Sequence, residues 1–233
     1  GSAGNIWKTL VPQLIESFTV YAIDLPGHGD APLSHDEEMD PRSLAQAIVD
    51  YMVSDMGVER MHVAGNSLGG WIALEMAAVA PDNVVSVTAL APAGLWHEQP
   101  PRKFPPSLDA RILAKISQHF MKTAYRIPVL KAIGYKKITH LWRELSFESC
   151  RDSVIAMARS KGYRPMWHGA NGRRFESQVS EKVKLSVVFG DEDLMLPEEI
   201  AQEKSVAPPH SHGVECCAMK LGWLTWVRWA RKW

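Results

Sequence analysis

A serine flanked by glycines stands where the sequence changes from a strand pattern to a helix pattern. The segment Gly65-Asn66-Ser67-Leu68-Gly69 has the spacing G-x-S-x-G, with strand-like residues 61–64 before it and an apolar helical pattern over 68–80 after it. A serine on so tight a turn is lifted above the sheet edge, and the crowded backbone calls for glycine on either side. The N–H of Leu68, at the helix start, favours developing negative charge. The pattern predicts a nucleophile at Ser67; the alternative is a turn that only connects two elements.

Strand and helix patterns alternate around this turn. Strands are predicted at 18–23, 61–64, 84–90 and 183–189, and helices at 5–16, 41–56, 68–80 and 197–206. This order indicates right-handed βαβ units and a parallel sheet. From about residue 95 to 181 only helical patterns occur, for instance over 108–125 and 151–159. The prediction is an α/β fold with a mostly parallel central sheet flanked by helices and an inserted helical segment.

Three motifs, in this order, resemble those of the α/β-hydrolase superfamily. They are AIDLPGHG at 22–29, HVAGNSLGG at 62–70, and FGDED at 189–193 followed by Pro197. In that family the inserted helices form a cap over the active site. The resemblance therefore implies a first core segment at 1–94, a helical cap at 95–181 and a last core segment at 182–233.

The resemblance also implies a position for the acid of a catalytic triad. In the family this acid follows the seventh strand in a Gly-x-x-Asp turn, and Gly190 and Asp193 have that spacing. A carboxylate there can reach a histidine from a neighbouring loop, fix its tautomer and stabilise the imidazolium. Asp193 is the expected acid and Asp191 the fallback. The alternative is an acidic, solvated turn before a helix cap.

A histidine is expected after the last strand, and the sequence has none there. That strand is predicted close to 213–219, and the residues after it include Gly222 followed by Trp223, where family members commonly show Gly-His. A serine hydroxyl is a poor nucleophile without a base. The last histidines, His210 and His212, precede the strand, and His212 is the candidate base. Six of the other histidines are expected to be structural or to belong to the cap: His28, His62, His97, His119, His140 and His168.

The beginning of the chain departs from the family pattern. Residues 1–5 resemble the end of the family's His-Gly-x loop without its histidine and without the strand before it. In family topology that strand lies between the strands predicted at 18–23 and 61–64, so without it these two strands have unpaired edges or must pair directly with each other. Ser2 is the candidate second oxyanion donor, with Ala3 as the alternative. Gly1-Ser2 can also be a cloning remnant.

The end of the chain is unusual in composition. Four tryptophans fall within the last eleven residues, mixed with arginine and lysine: Trp223, Trp226, Trp229 and Trp233. Their spacing allows an amphipathic terminal helix, which could touch a membrane surface. The favoured interpretation is an altered reading frame or sequence ending that has replaced a native terminus carrying the histidine.

The overall composition gives no support to several classes of partner and site. Lysine plus arginine and aspartate plus glutamate both number 26, so a net charge of zero gives no reason to expect nucleic acid or an anionic membrane as partner. No apolar stretch reaches the roughly 20 residues of a membrane span, and no signal-peptide pattern occurs. The three cysteines form no disulfide framework or metal spacing. We expect a soluble cytoplasmic protein with no metal or cofactor, a small-molecule substrate and an unassigned oligomeric state.

Two classes of function fit these residues. The first is a serine hydrolase of an ester-like or activated carbonyl substrate, in which Ser67 attacks, Leu68 and the Ser2–Ala3 loop hold the oxyanion, and Asp193 orients a histidine. The second is a non-catalytic binding protein that uses the same cap-covered pocket, which the missing histidine favours.

The hydrolase class itself has variants. Hydrolysis of a carbon–carbon bond in a dienoic diketone acid is one, because Gly-Asn-Ser-x-Gly-Gly resembles the turn of that subgroup. Cap arginines that could then bind the substrate carboxylate are Arg102, Arg111, Arg126 and Arg143. A haloalkane dehalogenase is disfavoured because that subgroup has Asp at the turn, whereas haloperoxidase-like perhydrolysis would use the same triad and stays open.

Overall fold

The computed structural model describes residues 3–33, 38–97, 110–190, 192–216 and 230–232. These residues form two compact units. The helical unit contains 3–33 and 110–165. The sheet unit contains 38–97, 166–190, 192–216 and 230–232.

A five-stranded sheet organises the sheet unit. Its strands are β1 (Met61–Asn66), β2 (Val84–Leu90), β3 (Lys184–Gly190), β4 (His212–Cys216) and β5 (Ala230–Lys232), and they lie side by side in that order. The first four are mutually parallel, and β5 pairs antiparallel with β4. The predicted mostly parallel sheet is therefore confirmed.

The helices follow the sequence patterns with small shifts at their ends. In chain order they are α1 (Val11–Leu14), α2 (Pro41–Asp50), α3 (Leu68–Val79), α4 (Ala110–Ser117), α5 (Met121–Arg126), α6 (Pro128–Tyr135), α7 (Phe147–Arg159), α8 (Tyr163–Ala170) and α9 (Glu198–Ala201). Short 3-10 segments occur at Gly4–Thr9, Gln118–Phe120 and Lys204–Val206, and a π turn at Tyr51–Asp55 extends α2. No helix in the described ranges is long and apolar enough to cross a membrane.

Helix α2 begins where the sequence predicts because two start signals coincide. The Asp40 side chain accepts hydrogen bonds from the backbone N–H groups of Arg42 and Ser43, at 3.0 and 3.3 Å. Pro41 occupies the first turn, where its missing N–H costs nothing. Leu44 and Val49 of this helix are buried.

Helix α3 carries the residues that follow Ser67, and it is buried from Gly70 to Ala77 because it packs against α2, β1 and β2. One carboxylate, that of Glu75, lies in this interior. It accepts hydrogen bonds from Trp71 Nε1 at 3.1 Å and from the Ser177 hydroxyl at 2.5 Å, and Arg42 lies 3.5 Å away. The buried charge is thereby paired and hydrogen-bonded, which holds α3 to its neighbours.

Two predictions about strands and helices are wrong. The apolar segment 18–23 forms no strand, and Phe18, Tyr21 and Ile23 are exposed. No strand among the described residues pairs with this segment, so the segment does not join the sheet. The terminal helix considered for the tail is contradicted at Ala230–Lys232, which is strand β5. The four tryptophans lie outside the described residues.

The motif at 22–29 is organised by the Asp24 carboxylate. Its two oxygens accept hydrogen bonds from the backbone N–H groups of Gly4 and Asp30, at 2.6 and 3.0 Å. Gly29 has φ +52°, and a Cβ there would stand 2.1 Å from the same carboxylate. Glycine is therefore required at 29 by both backbone conformation and space.

The inserted segment is helical where the structure describes it. Helices α4 to α8 occupy most of residues 110–170, and no strand occurs among them. The boundaries of a cap at 95–181, and of core segments at 1–94 and 182–233, stay predictions.

Candidate active site

Ser67 occupies the turn between the C-terminal end of β1 and the start of α3. Its backbone has φ +54° and ψ −119°, a conformation that non-glycine residues adopt rarely and that stores strain of ~1–3 kcal/mol. Its N–H donates to the carbonyl of Leu90 at 2.9 Å, and its own carbonyl accepts from Ala93 at 2.9 Å. These bonds hold the strained turn against the end of β2. The Ser67 side chain is exposed, as a nucleophile must be.

The glycines of this turn differ in what they permit. A Cβ on Gly65 would stand 2.0 Å from the carbonyl oxygen of Gly69, and one on Gly70 would stand 3.0 Å from Pro92. A Cβ on Gly69 would meet nothing within 4 Å. The expectation of crowding on both sides of Ser67 is therefore correct at Gly65 and wrong at Gly69, because the crowded position on the helix side is Gly70.

Of the two candidate oxyanion donors, the structure describes Leu68 and not Ser2. Leu68 is the first residue of α3, so its N–H has no acceptor within the helix, and it donates to no other described residue. An N–H at this position, beside the serine and at the positive end of the helix, can stabilise an oxyanion. Ser2, the candidate second donor, lies outside the described residues.

Asp193 lies in the turn that follows β3 and is buried, with 4% of its surface exposed. Its Oδ1 accepts hydrogen bonds from the N–H groups of Met195 and Leu196, at 2.8 and 2.9 Å. Burial raises the pKa of this carboxyl, while the two N–H groups oppose the rise. Its Oδ2 is buried and has no hydrogen-bond partner among the described residues. The fallback acid, Asp191, lies outside the described residues.

Gln202 fixes this turn, and sequence reasoning did not single it out. Its buried Nε2 donates to the carbonyls of Gly190 and Leu196, both at 2.9 Å, and so ties the two ends of the turn together. A lone glutamine carries no spacing signal in a single sequence, so this role was visible only in the structure.

The sheet brings Ser67 and Asp193 to one edge. Strands β1, β2 and β3 are parallel neighbours, and the two residues follow the C-terminal ends of β1 and β3. Two strand spacings amount to roughly 10 Å between the backbones. An imidazole placed between the two side chains can bridge such a gap, as in a Ser-His-Asp triad.

The structure does not bring His212 to this edge. His212 opens β4 opposite Ser186, whereas Cys216, at the other end of β4, lies opposite Gly190. A strand rises about 3.3 Å per residue, so His212 stands roughly 13 Å along β4 from the edge where Asp193 lies. His210 precedes β4 and lies still further from that edge in the chain. This corrects the sequence-based choice of His212 as the base.

Two further histidines of the sheet unit also fail to supply a base. His97 has Nδ1 at 2.7 Å from the Glu203 carboxylate and Nε2 at 2.9 Å from the carbonyl of Glu198, so both ring nitrogens face acceptors and neither offers a lone pair to a hydroxyl. His62 is exposed on β1, with Nδ1 at 2.8 Å from the Ser86 hydroxyl. Residues 217–229, which follow β4 in the chain, lie outside the described residues and contain no histidine.

His28 is buried in the helical unit, and it gives a prediction about pH. Burial lowers the pKa of His28 to about 4, although its Nδ1 lies 3.2 Å from the carbonyl oxygen of Pro26. Between about pH 6.5 and 4, His28 is protonated in the unfolded chain but stays neutral in the folded chain. The free energy of unfolding should therefore fall as the pH drops from about 6.5 to about 4, by about 3 kcal/mol from this residue.

Urea unfolding at several pH values measures this effect. His28→Gln should flatten the slope between pH 6.5 and 4, and His140→Gln, at an exposed position, is the matched control and should keep it. Equal slopes for the native chain and the His28→Gln variant would contradict the prediction.

Within the described part of the chain, no group of three or more His, Cys, Asp or Glu side chains could hold a metal ion.

The chain matches the model of a known protein family. Residues 1–132, more than half of the chain, match the family model described as alpha/beta hydrolase fold. The chain belongs to the α/β-hydrolase fold family. The resemblance drawn from the three sequence motifs is therefore confirmed.

Relatives of known name share part of this chain. A pimeloyl-[acyl-carrier protein] methyl ester esterase of Methylococcus capsulatus is 33% identical over 121 residues, which are 52% of this chain and 44% of that protein. A dihydrolipoyllysine-residue acetyltransferase component of the acetoin cleaving system, from Cupriavidus necator, is 36% identical over 98 residues, 40% of this chain and 25% of that one. The chain thus spans less than half the length of these two relatives.

Solved α/β-hydrolases have the same fold as this chain. A meta-cleavage product hydrolase from Pseudomonas fluorescens superposes with a TM-score of 0.66 at 14% identity, covering 96% of this chain and 79% of that one. A thermophilic esterase from Thermogutta terrifontis gives 0.64 at 17% identity, covering 93% and 77%. At such identities the likeness concerns the fold alone.

Proposed function

We propose that this α/β-hydrolase is built for serine-dependent hydrolysis of an ester-like or otherwise activated carbonyl compound, a small molecule. The observation that carries the proposal is the pairing of a strained, exposed Ser67 with a buried Asp193 at one edge of a parallel sheet. The cytoplasmic location stays a prediction.

The proposed chemistry assigns one task to each group. The Ser67 hydroxyl attacks the carbonyl carbon, the ester C–O bond breaks, and the acyl group stays on Ser67 while the alcohol leaves with the proton of that hydroxyl. The N–H of Leu68 holds the oxyanion that forms on the way, and removing one such donor typically costs ~3 kcal/mol of barrier. Water then releases the acid and restores the hydroxyl.

Asp193 is proposed to orient an imidazole. Its Oδ1 is engaged by two backbone N–H groups, which fixes the carboxylate and leaves Oδ2 as the free acceptor. A buried oxygen without a partner costs ~1–3 kcal/mol, and an imidazole N–H would recover this cost. Because no histidine of the described residues occupies that position, we expect this chain to be a slow catalyst.

An ester is favoured over a carbon–carbon substrate. The methyl ester esterase of Methylococcus capsulatus is 33% identical to this chain over the matched region. The meta-cleavage product hydrolase has only 14% sequence identity with it, so that likeness concerns the fold alone. Steady-state rates on simple aryl esters and on a dienoic diketone acid would separate the two variants.

A fluorophosphonate probe, which labels activated serines, tests the proposal. We expect slow labelling of the native chain, accelerated by free imidazole, which can act as a base toward the exposed Ser67 hydroxyl. Ser67→Ala should abolish the labelling, and Ser54→Ala, at another exposed serine, should leave it intact.

Two other outcomes would contradict the proposal. A folded chain that stays unlabelled even with imidazole would identify a binding protein, a class that the unpartnered Asp193 oxygen also allows. Labelling that survives Ser67→Ala would refute Ser67 as the nucleophile.

A further inference from the structure

Helix α4 turns its apolar side outward. Ile112, Leu113 and Ile116 are exposed at 52, 46 and 58%, and Phe120, in the 3-10 turn that follows, at 64%. The spacing of three and four residues places them along one side of the helix. The buried residue of α4 is the small Ala114, and the partner against which α4 packs is α7.

Helix α6 shows the same inversion. Val129, Leu130 and Ile133 are exposed at 65, 43 and 71%. The residue that α6 buries is Lys131, whose Nζ donates to the carbonyls of Arg143 and Leu145, at 2.9 and 2.7 Å. A lysine is therefore anchored inside while three aliphatic side chains face outward, the reverse of what a surface helix normally does.

The charge of this region is as one-sided as its hydrophobicity. Residues 110–143 contain no aspartate or glutamate and eight lysines and arginines: Arg111, Lys115, Lys122, Arg126, Lys131, Lys136, Lys137 and Arg143. Most of these side chains are exposed. The zero net charge of the whole chain, which predicts no anionic membrane partner, averages over this local excess.

We propose that the segment 110–137, containing α4, α5 and α6, binds the surface of an anionic phospholipid membrane. The outward aliphatic and aromatic side chains enter the boundary between headgroups and acyl chains, and the exposed lysines and arginines contact lipid phosphates. Helices that lie in the membrane interface generally combine an apolar face with basic residues beside it.

Charge also disfavours the other occupants of this surface. A second copy of the chain would bring the same excess of positive charge against it, so like charges would oppose self-association. A nucleic acid would use the basic residues and leave the aliphatic side chains unburied. An anionic lipid surface satisfies both properties together.

Cosedimentation of the full chain with vesicles tests the proposal. One set of vesicles is pure phosphatidylcholine and the other contains about one part phosphatidylglycerol to three parts phosphatidylcholine. We expect binding to the anionic vesicles, little binding to the neutral ones, and weaker binding as salt screens the charges. Ile116→Glu and Ile133→Glu should each weaken vesicle binding by about tenfold or more, because a carboxylate replaces the inserted side chain.

Ile200→Glu is the matched control, since Ile200 is 62% exposed on α9, outside the basic segment. It should bind vesicles as the native chain does, and the circular dichroism of all three variants should be native. No binding to anionic vesicles at low salt would overturn the proposal, as would equal losses in all three variants. A dimer that Ile116→Glu dissociates, or retention on polyglutamate without vesicle binding, would identify a second copy or an acidic protein instead and equally overturn it.

Discussion

Replacing Trp223 with histidine is expected to raise the rate of aryl ester hydrolysis by about 10²- to 10⁴-fold, the usual contribution of a general base. The sequence places Trp223 directly after Gly222, where the family commonly has Gly-His, and after β4, the strand that adjoins the Asp193 strand. The buried Oδ2 of Asp193 is free to accept the imidazole N–H. Position 223 itself lies outside the described residues, so the choice rests on the sequence.

Three companion variants make this prediction specific. Trp226→His places the same ring elsewhere in the tail and should give no comparable gain. In the Trp223→His background, Asp193→Asn should remove most of the gain, because the amide cannot stabilise an imidazolium, and Ser67→Ala should remove all of it. The gained rate should rise with pH as the new imidazole loses its proton, since the neutral ring is the base. A gain that persists in the Ser67→Ala background would show that histidine acts elsewhere.

The strands that the sequence predicted well share one property. Residues 61–64, 84–90 and 183–189 are short apolar runs bounded by turn residues, and each finds a parallel neighbour within the chain. Segment 18–23 has the same composition but no strand partner among the described residues, and it remains outside the sheet. Composition reports what a segment can bury, whereas a strand also needs a neighbour to hydrogen-bond.

The candidate site likewise has parts that the sequence predicts and parts that it does not. The G-x-S-x-G spacing locates the Ser67 turn because its demands are local: a strand, a cramped bend and a helix. The position of the acid turn after β3 follows from the Gly-x-x-Asp resemblance. Two features depend on tertiary register: the hydrogen bonds that Gln202 donates across the acid turn, and the position of His212 at the opposite end of β4 from Asp193. No residue spacing in a single sequence encodes this register.

Gly65→Ala is expected to lower the free energy of unfolding by about 3 kcal/mol or more, because the added methyl carbon would stand 2.0 Å from the Gly69 carbonyl oxygen and 2.8 Å from the Gly70 nitrogen. Both atoms belong to the backbone at the start of α3, a helix that is buried from Gly70 to Ala77 and packs against α2, β1 and β2. No side-chain rotation can relieve the contact, so the turn or the helix must move. Urea unfolding followed by circular dichroism measures the change.

Gly69→Ala supplies the comparison that distinguishes a specific clash from a general loss of backbone freedom. A Cβ at 69 meets nothing within 4 Å, and alanine is favoured over glycine inside a helix by about 1 kcal/mol, so this variant should be as stable as the native chain or slightly more so. Labelling of Ser67 by the fluorophosphonate probe should also survive Gly69→Ala and be lost in Gly65→Ala. If the two alanines destabilised the chain equally, the crowding between β1 and α3 would not be the reason for glycine at 65, and the strained geometry assigned to Ser67 would lose its structural support.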